Sequence, residues 1–455
     1  MKKERLEERF GIKVLITILC LTVVQLGNII PIPTINTAYF SYLVSKTSVL
    51  GMMNRFSGGA FQNMTLCALG ISIYISASIV IQMLTVVFRK LEELERNGAY
   101  GKKQLERITV SFSIFLSVVG AFSFGIMLRA NGILKDQKWT TYLITVGCLC
   151  FGSLLLILLG KVIDKKGIGN GITVVLMMNM ITYIPNDVQS LYYGFMKKHP
   201  AWMWVATIAV VIILIILAIF MNEIEKRIKL QYSSAPVESD SVRESSYLSI
   251  SGRLISVMPA ILTSTVFQMI TLFSAFGGSN IKWVQYFNMS NWFMKKHPEY
   301  MIGFAVYLIL MIAFSYFYIS ITFNPYQMAF NLKKEGVVIE NVRPGEETIK
   351  YLKKSVNQIV WICIGLLFVL ITVPMAITGL SNVSSLNSGG TTLIIIVGAM
   401  LETVRSFKGE CLIVNYRKKV LAQKGEKIMY LPKRKKVLLN ILSQSLLEQL
   451  YILDL

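Results

Sequence analysis

Few residues of this chain have types and spacings that could do chemistry, and none of them assembles a catalyst. The only two histidines, His199 and His297, sit in loop tetrapeptides of the same composition, Lys-Lys-His-Pro, which leaves almost no scope for imidazole chemistry. The six cysteines (Cys20, Cys67, Cys148, Cys150, Cys363, Cys411) lie mostly inside apolar runs, with neither ligand spacing nor a secreted disulfide framework. A glycine-rich run, "GIGNG" at 167–171, stands beside lysines and invites a phosphate-loop reading. It lacks the GxxxxGK[ST] spacing and follows no strand, so it reads as a tight turn. No catalytic residue, no metal and no cofactor is expected.

Another stretch asks for a function. Residues 56–88 read FSGGAFQNMTLCALGISIYISASIVIQMLTVVF. From about Leu66 to Phe88 the run is charge-free and predicts one membrane helix. The ten residues before it carry Ser57, Gly58, Gly59, Gln62 and Asn63, whose polar groups and glycine entropy suit neither spanning nor tight packing. A membrane helix that begins with a short, glycine-hinged, half-polar segment must belong to a machine that needs one.

The elements around it are set by composition. Of 455 residues, 54% are hydrophobic and 16% charged, and the mean hydropathy is +0.57. That balance predicts a polytopic helical membrane protein. Charge-free apolar stretches run near 14–32, 66–88, 108–128, 140–160, 172–185, 201–221, 254–276, 301–323, 356–377 and 390–401. The fifth and tenth are short for a span and must be tilted, extended or shielded. The run Val14–Ile30 has no small-residue cleavage site and many spans follow it, so no cleaved leader is expected.

The net charge of +21 follows topology, because alternate loops hold 36 of the 46 lysines and arginines. The positive-inside rule then puts both termini in the cytoplasm. No aromatic-interleaved basic patch suggests a nucleic-acid face. The ten stretches hold no Asp, Glu, Lys, Arg or His, which argues against a proton- or ion-coupled transporter.

Five segments resemble the SecY family, the central channel subunits of protein translocases, in the right order over about residues 1–420. They are FSGGAFQNMTLCALGISIYISASIVIQML (56–84), GKVIDKKGIGNGITVV (160–175), SYLSISGRLISVMPAILTST (246–265), YFYISITFNPYQMAFNLKKEGVVIENVRPGEETIKYLKK (316–354) and GGTTLIIIVGAMLETV (389–404). The resemblance implies an all-α integral membrane protein, with ten transmembrane helices in two inverted five-helix halves around a central pore. The halves would be residues 1–195 and 196–405, followed by a basic, amphipathic tail at 406–455.

The same resemblance implies site residues. The pore ring falls on Ile71 and Ile75 in helix 2, Leu176 and Met180 in helix 5, and Ile261 in helix 7. In helix 10 it falls on Ile396 or Met400. A narrow ring of flexible aliphatic side chains dewets and stops ions, yet deforms around a peptide. The plug spans about 53–64, including Phe56, Ser57, Gly58, Gly59, Ala60 and Phe61. It reads as a short distorted helix under the ring, which the glycines let swing away cheaply. The lateral gate to lipid lies between helices 2 and 7, at Ser76, Ser78, Gln82, Thr263, Ser264 and Thr265. Hydroxyls bonded back into their own helices are the competing reading. Arg343, Pro344 and Gly345 form the cytoplasmic tip that docks a partner.

Implied partners are SecE-like and SecG-like small membrane subunits, a SecA-type ATPase motor or the ribosome, signal sequences, unfolded polypeptides and membrane lipid. No nucleic-acid binding is expected apart from ribosome contact. The location implied is the bacterial cytoplasmic membrane, in many passes. Three departures from the family pattern stand out. Helix 2 lacks a proline within Ile71–Ile75. The helix 6–7 loop, SSAPVESDSVRESS (233–246), is acid-rich. Leu438, Leu442, Leu446 and Leu450 repeat at helical spacing in the tail after a basic cluster. An accessory channel dedicated to few substrates is the close alternative. A secondary transporter, a lipid flippase or a non-conducting scaffold are the distant ones.

Overall fold

Gly70 decides where the second apolar stretch becomes helical. Its φ of +63° lies in the left-handed region, which ends a right-handed helix. The helix expected from Leu66 therefore begins at Ser72, with Ile71 at its boundary, and no proline is needed for the break. Residues 57–71 are turns with one bridge, Thr65 to Pro31. The Leu66 N–H donates to the Ile30 carbonyl at 3.0 Å and the Ile32 N–H to the Met64 carbonyl at 2.9 Å. Irregular backbone at membrane depth is tolerated where protein buries it, and Cys67, Ala68 and Leu69 are all buried.

The computed structural model describes residues 2–429 except 38–39, 42–53, 97, 131, 137, 195–199, 233–246, 253–257, 277–283, 288–291, 293–297 and 382–388. Both histidines, the acid-rich loop, Met53 at the start of the expected plug and the leucine repeat of the tail lie outside the described residues.

The helices of eight residues or more are α1 (Lys2–Ile29), α2 (Ser72–Val87), α3 (Arg89–Arg96), α4 (Gly98–Ala130), α5 (Trp139–Lys166), α6 (Gly171–Gly194) and α7 (Ala201–Glu223), followed by strands β1 (Glu225–Tyr232) and β2 (Tyr247–Ser251). After them come α8 (Met258–Phe276), α9 (Met301–Thr322), α10 (Pro325–Lys334), strand β3 (Val337–Ile339), α11 (Glu346–Ser381) and α12 (Gly389–Met429). Each apolar stretch falls on one of α1, α2, α4 to α9, α11 and α12.

The two short stretches are both extended at their ends, one of the three routes expected of them. The fifth belongs to the 24-residue α6, which continues through Pro185 to Gly194 and so includes Asp187. The tenth opens the 41-residue α12, which takes in the first part of the tail as helix. Loss of apolarity does not end a helix, because its backbone hydrogen bonds are internal.

Among the described residues, seven helical segments are long and apolar enough to cross a bilayer: Phe10–Ile29, Tyr100–Ala130, Trp139–Lys166, Trp204–Glu223, Pro298–Lys334, Glu346–Ile377 and Gly390–Val414. The helices that fall short are α2, α6 and α8. At 16 residues α2 is about 24 Å long, under the ~30 Å hydrocarbon thickness. All three contribute to the central seam, where neighbours shield them and their inner faces need not meet lipid.

Buried side chains form three cores. One lies within residues 214–397 and includes Leu214, Met221, Tyr307, Leu352 and Leu367. A second lies within residues 32–149, around Phe40, Phe61, Phe124 and Leu149. The third is the seam, where Leu156, Leu176 and Met180 meet Ile261, Leu262 and Ile395 from the other half.

At one end of the bundle, the loop after α7 and the loop after α10 share an antiparallel sheet of order β2-β1-β3. Glu225 pairs with Ser251 and Lys229 with Tyr247 on one side of β1. Leu230 pairs with Ile339 and Tyr232 with Val337 on the other. Ile228, Ile250, Val337 and Ile339 turn one face of this sheet into the core of the second half. Two loops that read as independent in sequence are one element.

Candidate functional site

The seam is built from positions that the sequence scatters from Cys20 to Ile395. Ile71 packs at the entrance to α2, Leu176 and Met180 one turn apart on α6, and Ile261 near the start of α8. All four are at most 5% exposed. Ile75 and Ile396 are partly buried against the same cluster. Met400 is not part of it. Its side chain is 55% exposed, because α12 presents Ile395, Gly398, Ala399 and Glu402 to the seam and its opposite side carries Met400. Ile395, at 1% exposure, is the residue that register reasoning missed.

The segment expected as the plug sits against this cluster and is firmly packed. Residues 54–56 are helical and 57–64 are turns. Phe56 and Ala60 join the seam, while Phe61 enters the neighbouring core. There its ring stands 5.5 Å from that of Phe40 and 5.4 Å from that of Phe124. Gly58 has a φ of +67°, and a Cβ there would stand 3.1 Å from the Asn179 carbonyl oxygen. Close approach to α6, as well as freedom to bend, therefore calls for glycine at this position. Swinging the segment away exposes two buried phenylalanines, so it does not move cheaply.

Polar groups fasten the segment to α6. Asn179 donates from Nδ2 to the Phe56 carbonyl at 3.2 Å and accepts from Asn28 of α1 at 3.0 Å. Asn54 donates to the Tyr183 hydroxyl at 3.2 Å and to Gln62 Oε1 at 2.9 Å. The Ser57 hydroxyl accepts from the Phe61 N–H at 3.0 Å and donates to the Asn54 carbonyl. Arg55 pairs with Asp187 at 2.7 Å. Sequence reading missed Asn28, Asn54, Arg55, Asn179, Tyr183 and Asp187. The available signal was Asn179, Tyr183 and Asp187 at spacings of four, a polar stripe on one side of a helix.

A cavity of about 730 Å³ opens on the sheet side of the seam. Ser78 and Gln82 of α2 line it, together with Met258 and Ile261 of α8 and the charged Glu106, Lys161, Asp164, Glu402 and Arg405. Ser76 and Thr265 are half-buried. Thr263 and Ser264 are fully buried and spend their hydroxyl hydrogens within α8, on the Pro259 carbonyl at 2.8 Å and the Ile261 carbonyl at 2.9 Å. The back-bonded reading therefore describes these two residues.

The glycine run at 167–171 is the turn between α5 and α6. Asp164 accepts from the Gly171 N–H at 2.7 Å, and Thr17 of α1 accepts from the Ile168 N–H at 3.0 Å. Arg343 and Pro344 are exposed at the sheet end, and Gly345 there has a φ of +116°. The Arg343 carbonyl accepts from Thr348 at 2.9 Å, which fixes the turn that presents its side chain. Among the described residues, no group of His, Cys, Asp and Glu could hold a metal ion.

Comparison with known proteins places this arrangement. The family model described as SecY matches residues 65–404. The protein translocase subunit SecY of Bacillus licheniformis is 32% identical over 424 residues, which span 89% of this chain and 95% of that protein. The subunit of the same name in Staphylococcus carnosus is 30% identical over 411 residues, or 88% and 94% of the two chains. Among solved structures, "The structure of a protein conducting channel" superposes with a TM-score of 0.56 at 15% identity, over 89% of this chain and 93% of that one. Two more superpose with TM-scores of 0.54 at 16% identity over the same shares. One concerns a SecY plug domain that stabilises the closed state and maintains a membrane seal. The other is Sec61 in the canine ribosome–channel complex from the endoplasmic reticulum.

Proposed function

This chain belongs to the SecY family, and from that premise we propose how its parts divide the work of a channel. It is a multi-pass membrane protein and a protein-conducting channel. The finer assignment is our own. Ten helices cross the membrane as two five-helix halves, 1–195 and 196–405, with both termini in the cytoplasm. The sheet and Arg343 face the cytoplasm, and the segment 54–64 closes the outer side.

One observation carries this reading. Ile71, Leu176, Met180 and Ile261 close into a single buried aliphatic cluster, and Phe56 and Ala60 of the 54–64 segment pack onto it. Such a ring stops ions when idle and offers a passing polypeptide no selective site. Ile395 takes the helix 10 position in it. The cavity between α2 and α8 receives signal sequences and releases membrane spans to lipid. The chain performs gating rather than catalysis, and energy comes from a SecA-type motor or from the ribosome. SecE-like and SecG-like subunits brace the halves.

The test is a photoreactive side chain at Ile75, Ile261 or Met400 in a channel holding a stalled secretory chain. Crosslinks at Ile75 and Ile261, with none at Met400, are expected. A stalled chain that links to neither isoleucine would sink the pore assignment.

A further inference from the structure

The plug end of the seam holds a buried ion pair that passive gating leaves unused. The Arg55 side chain is 3% exposed and that of Asp187 is 20% exposed. Arg55 Nη2 lies 2.7 Å and Nε 3.2 Å from the same Asp187 oxygen, and the guanidinium stands 5.9 Å from the centre of the Tyr183 ring. Beside the pair lies a polar space of about 490 Å³, lined by Gly59, Gln62, Asn63, Tyr183, Asn186 and Gln189. The two charges thus sit on separate elements, one on the segment that must move and one on the helix that stays.

We propose that Arg55 and Asp187 form a releasable latch that holds the plug shut and sets how readily an arriving chain displaces it. This rests on the plug reading of residues 54–64 and adds residues outside the ring and the gate to the machinery of opening. The reasoning is electrostatic. A buried guanidinium is tolerable only while it is paired, so any partial displacement that separates Arg55 from Asp187 is opposed steeply at first. Once the plug has moved into the polar space, both groups regain water. The hydration they lost on closing is then returned, which offsets the broken pair. An apolar lock of equal closed-state strength would have no such return, because its opened surfaces cost free energy in proportion to their area. An ion pair therefore gives a seal that is stiff against fluctuation and yet able to let go.

The experiment measures openings of the full chain, reconstituted with its partner subunits in planar bilayers, together with the translocation rate of a secretory substrate. Arg55→Gln and Asp187→Asn should each raise the frequency of openings about tenfold or more, since each breaks the buried pair from one side. The reversed pair, Arg55→Asp with Asp187→Arg, should recover most of the seal, and it controls for misfolding of the single variants. The apolar pair, Arg55→Met with Asp187→Leu, should seal at least as well as the parent but translocate more slowly. Deletion of residues 54–64 is run beside them. Deletion that leaks while both single variants stay as tight as the parent overturns the latch and leaves the plug standing. Deletion that does not leak overturns both. A reversed pair as leaky as the single variants overturns the pairing, and an apolar pair that translocates at the parent rate overturns the release step.

Discussion

Asn28 on α1 donates a hydrogen bond to Asn179 on α6 at 3.0 Å, and Asn179 hands the connection on to the Phe56 carbonyl of the 54–64 segment. Both amides are buried, at 7% and 0% exposure, so neither has water to fall back on. The position of the 54–64 segment is thereby referred to two helices, α1 and α6. Asn179→Ala leaves the Phe56 carbonyl and the Asn28 amide unpaired, at about 1–3 kcal/mol each. The expected result is a channel that assembles but opens more often in bilayer recordings. Asn28→Ala should do less, because it leaves one buried group, Asn179 Oδ1, without its donor where Asn179→Ala leaves two. A larger effect at Asn28 than at Asn179 would mean that the connection does not run toward the plug.

Removing residues 54–64 altogether should give an assembled protein whose membrane leaks ions intermittently rather than freely. The ring of Ile71, Leu176, Met180 and Ile261 remains and still dewets between openings. The check is single-channel recording with the amount of protein in the bilayer verified. Unchanged conductance would mean that the ring alone makes the seal.

The gate prediction follows the cavity. Ser78 and Gln82 on α2 and Met258 and Ile261 on α8 all line it. Cysteines at 82 and 258, or at 78 and 261, should crosslink through a short bifunctional reagent and block insertion of membrane spans. Thr263→Cys should crosslink poorly, since Thr263 is fully buried and bonded back to Pro259. Efficient linkage at 263 with none at 258 or 261 would put the wrong face of α8 toward the gate.

How much of this was legible in the sequence varies with the physics involved. The apolar stretches located all the long helices, because transfer to lipid is read from composition. Their ends were not legible. α6 runs on to Gly194 and α12 to Met429, since helicity outlasts apolarity. Within the ring, positions on α2, α6 and α8 were placed by long motifs, whereas the uniform run Ile394-Ile395-Ile396 gave no register and hid Ile395. The fastening of residues 54–64 was hidden for another reason. Arg55 and Asp187 are 132 residues apart, and each reads as a solvated loop charge until the fold brings them together. The sheet uniting the loops after α7 and α10 was equally invisible, because β1 reads as a charged linker when its partners are unknown.

That sheet changes what is expected of the docking surface. Arg343→Glu should weaken binding of the motor or ribosome, because it replaces a forked cation with a like charge toward an acidic or phosphate partner. Were the two loops independent, a reversal on the other loop would be a separate matter. Instead the Glu340 N–H donates to the Lys229 carbonyl at 3.2 Å, and the side chains of these two residues approach to 3.9 Å. Lys229 on β1 therefore stands beside the turn that presents Arg343. Lys229→Glu should produce a loss of the same order as Arg343→Glu, and both losses should shrink as salt rises toward physiological strength. Arg227→Glu, on the same strand but two residues farther from that turn, should cost less. Purified partner is titrated onto membranes carrying each variant at two salt concentrations. Loss at Arg343 with none at Lys229 would show that the partner reads the turn alone and that the sheet is only its support. No loss at Arg343 would remove the docking role from this end of the molecule.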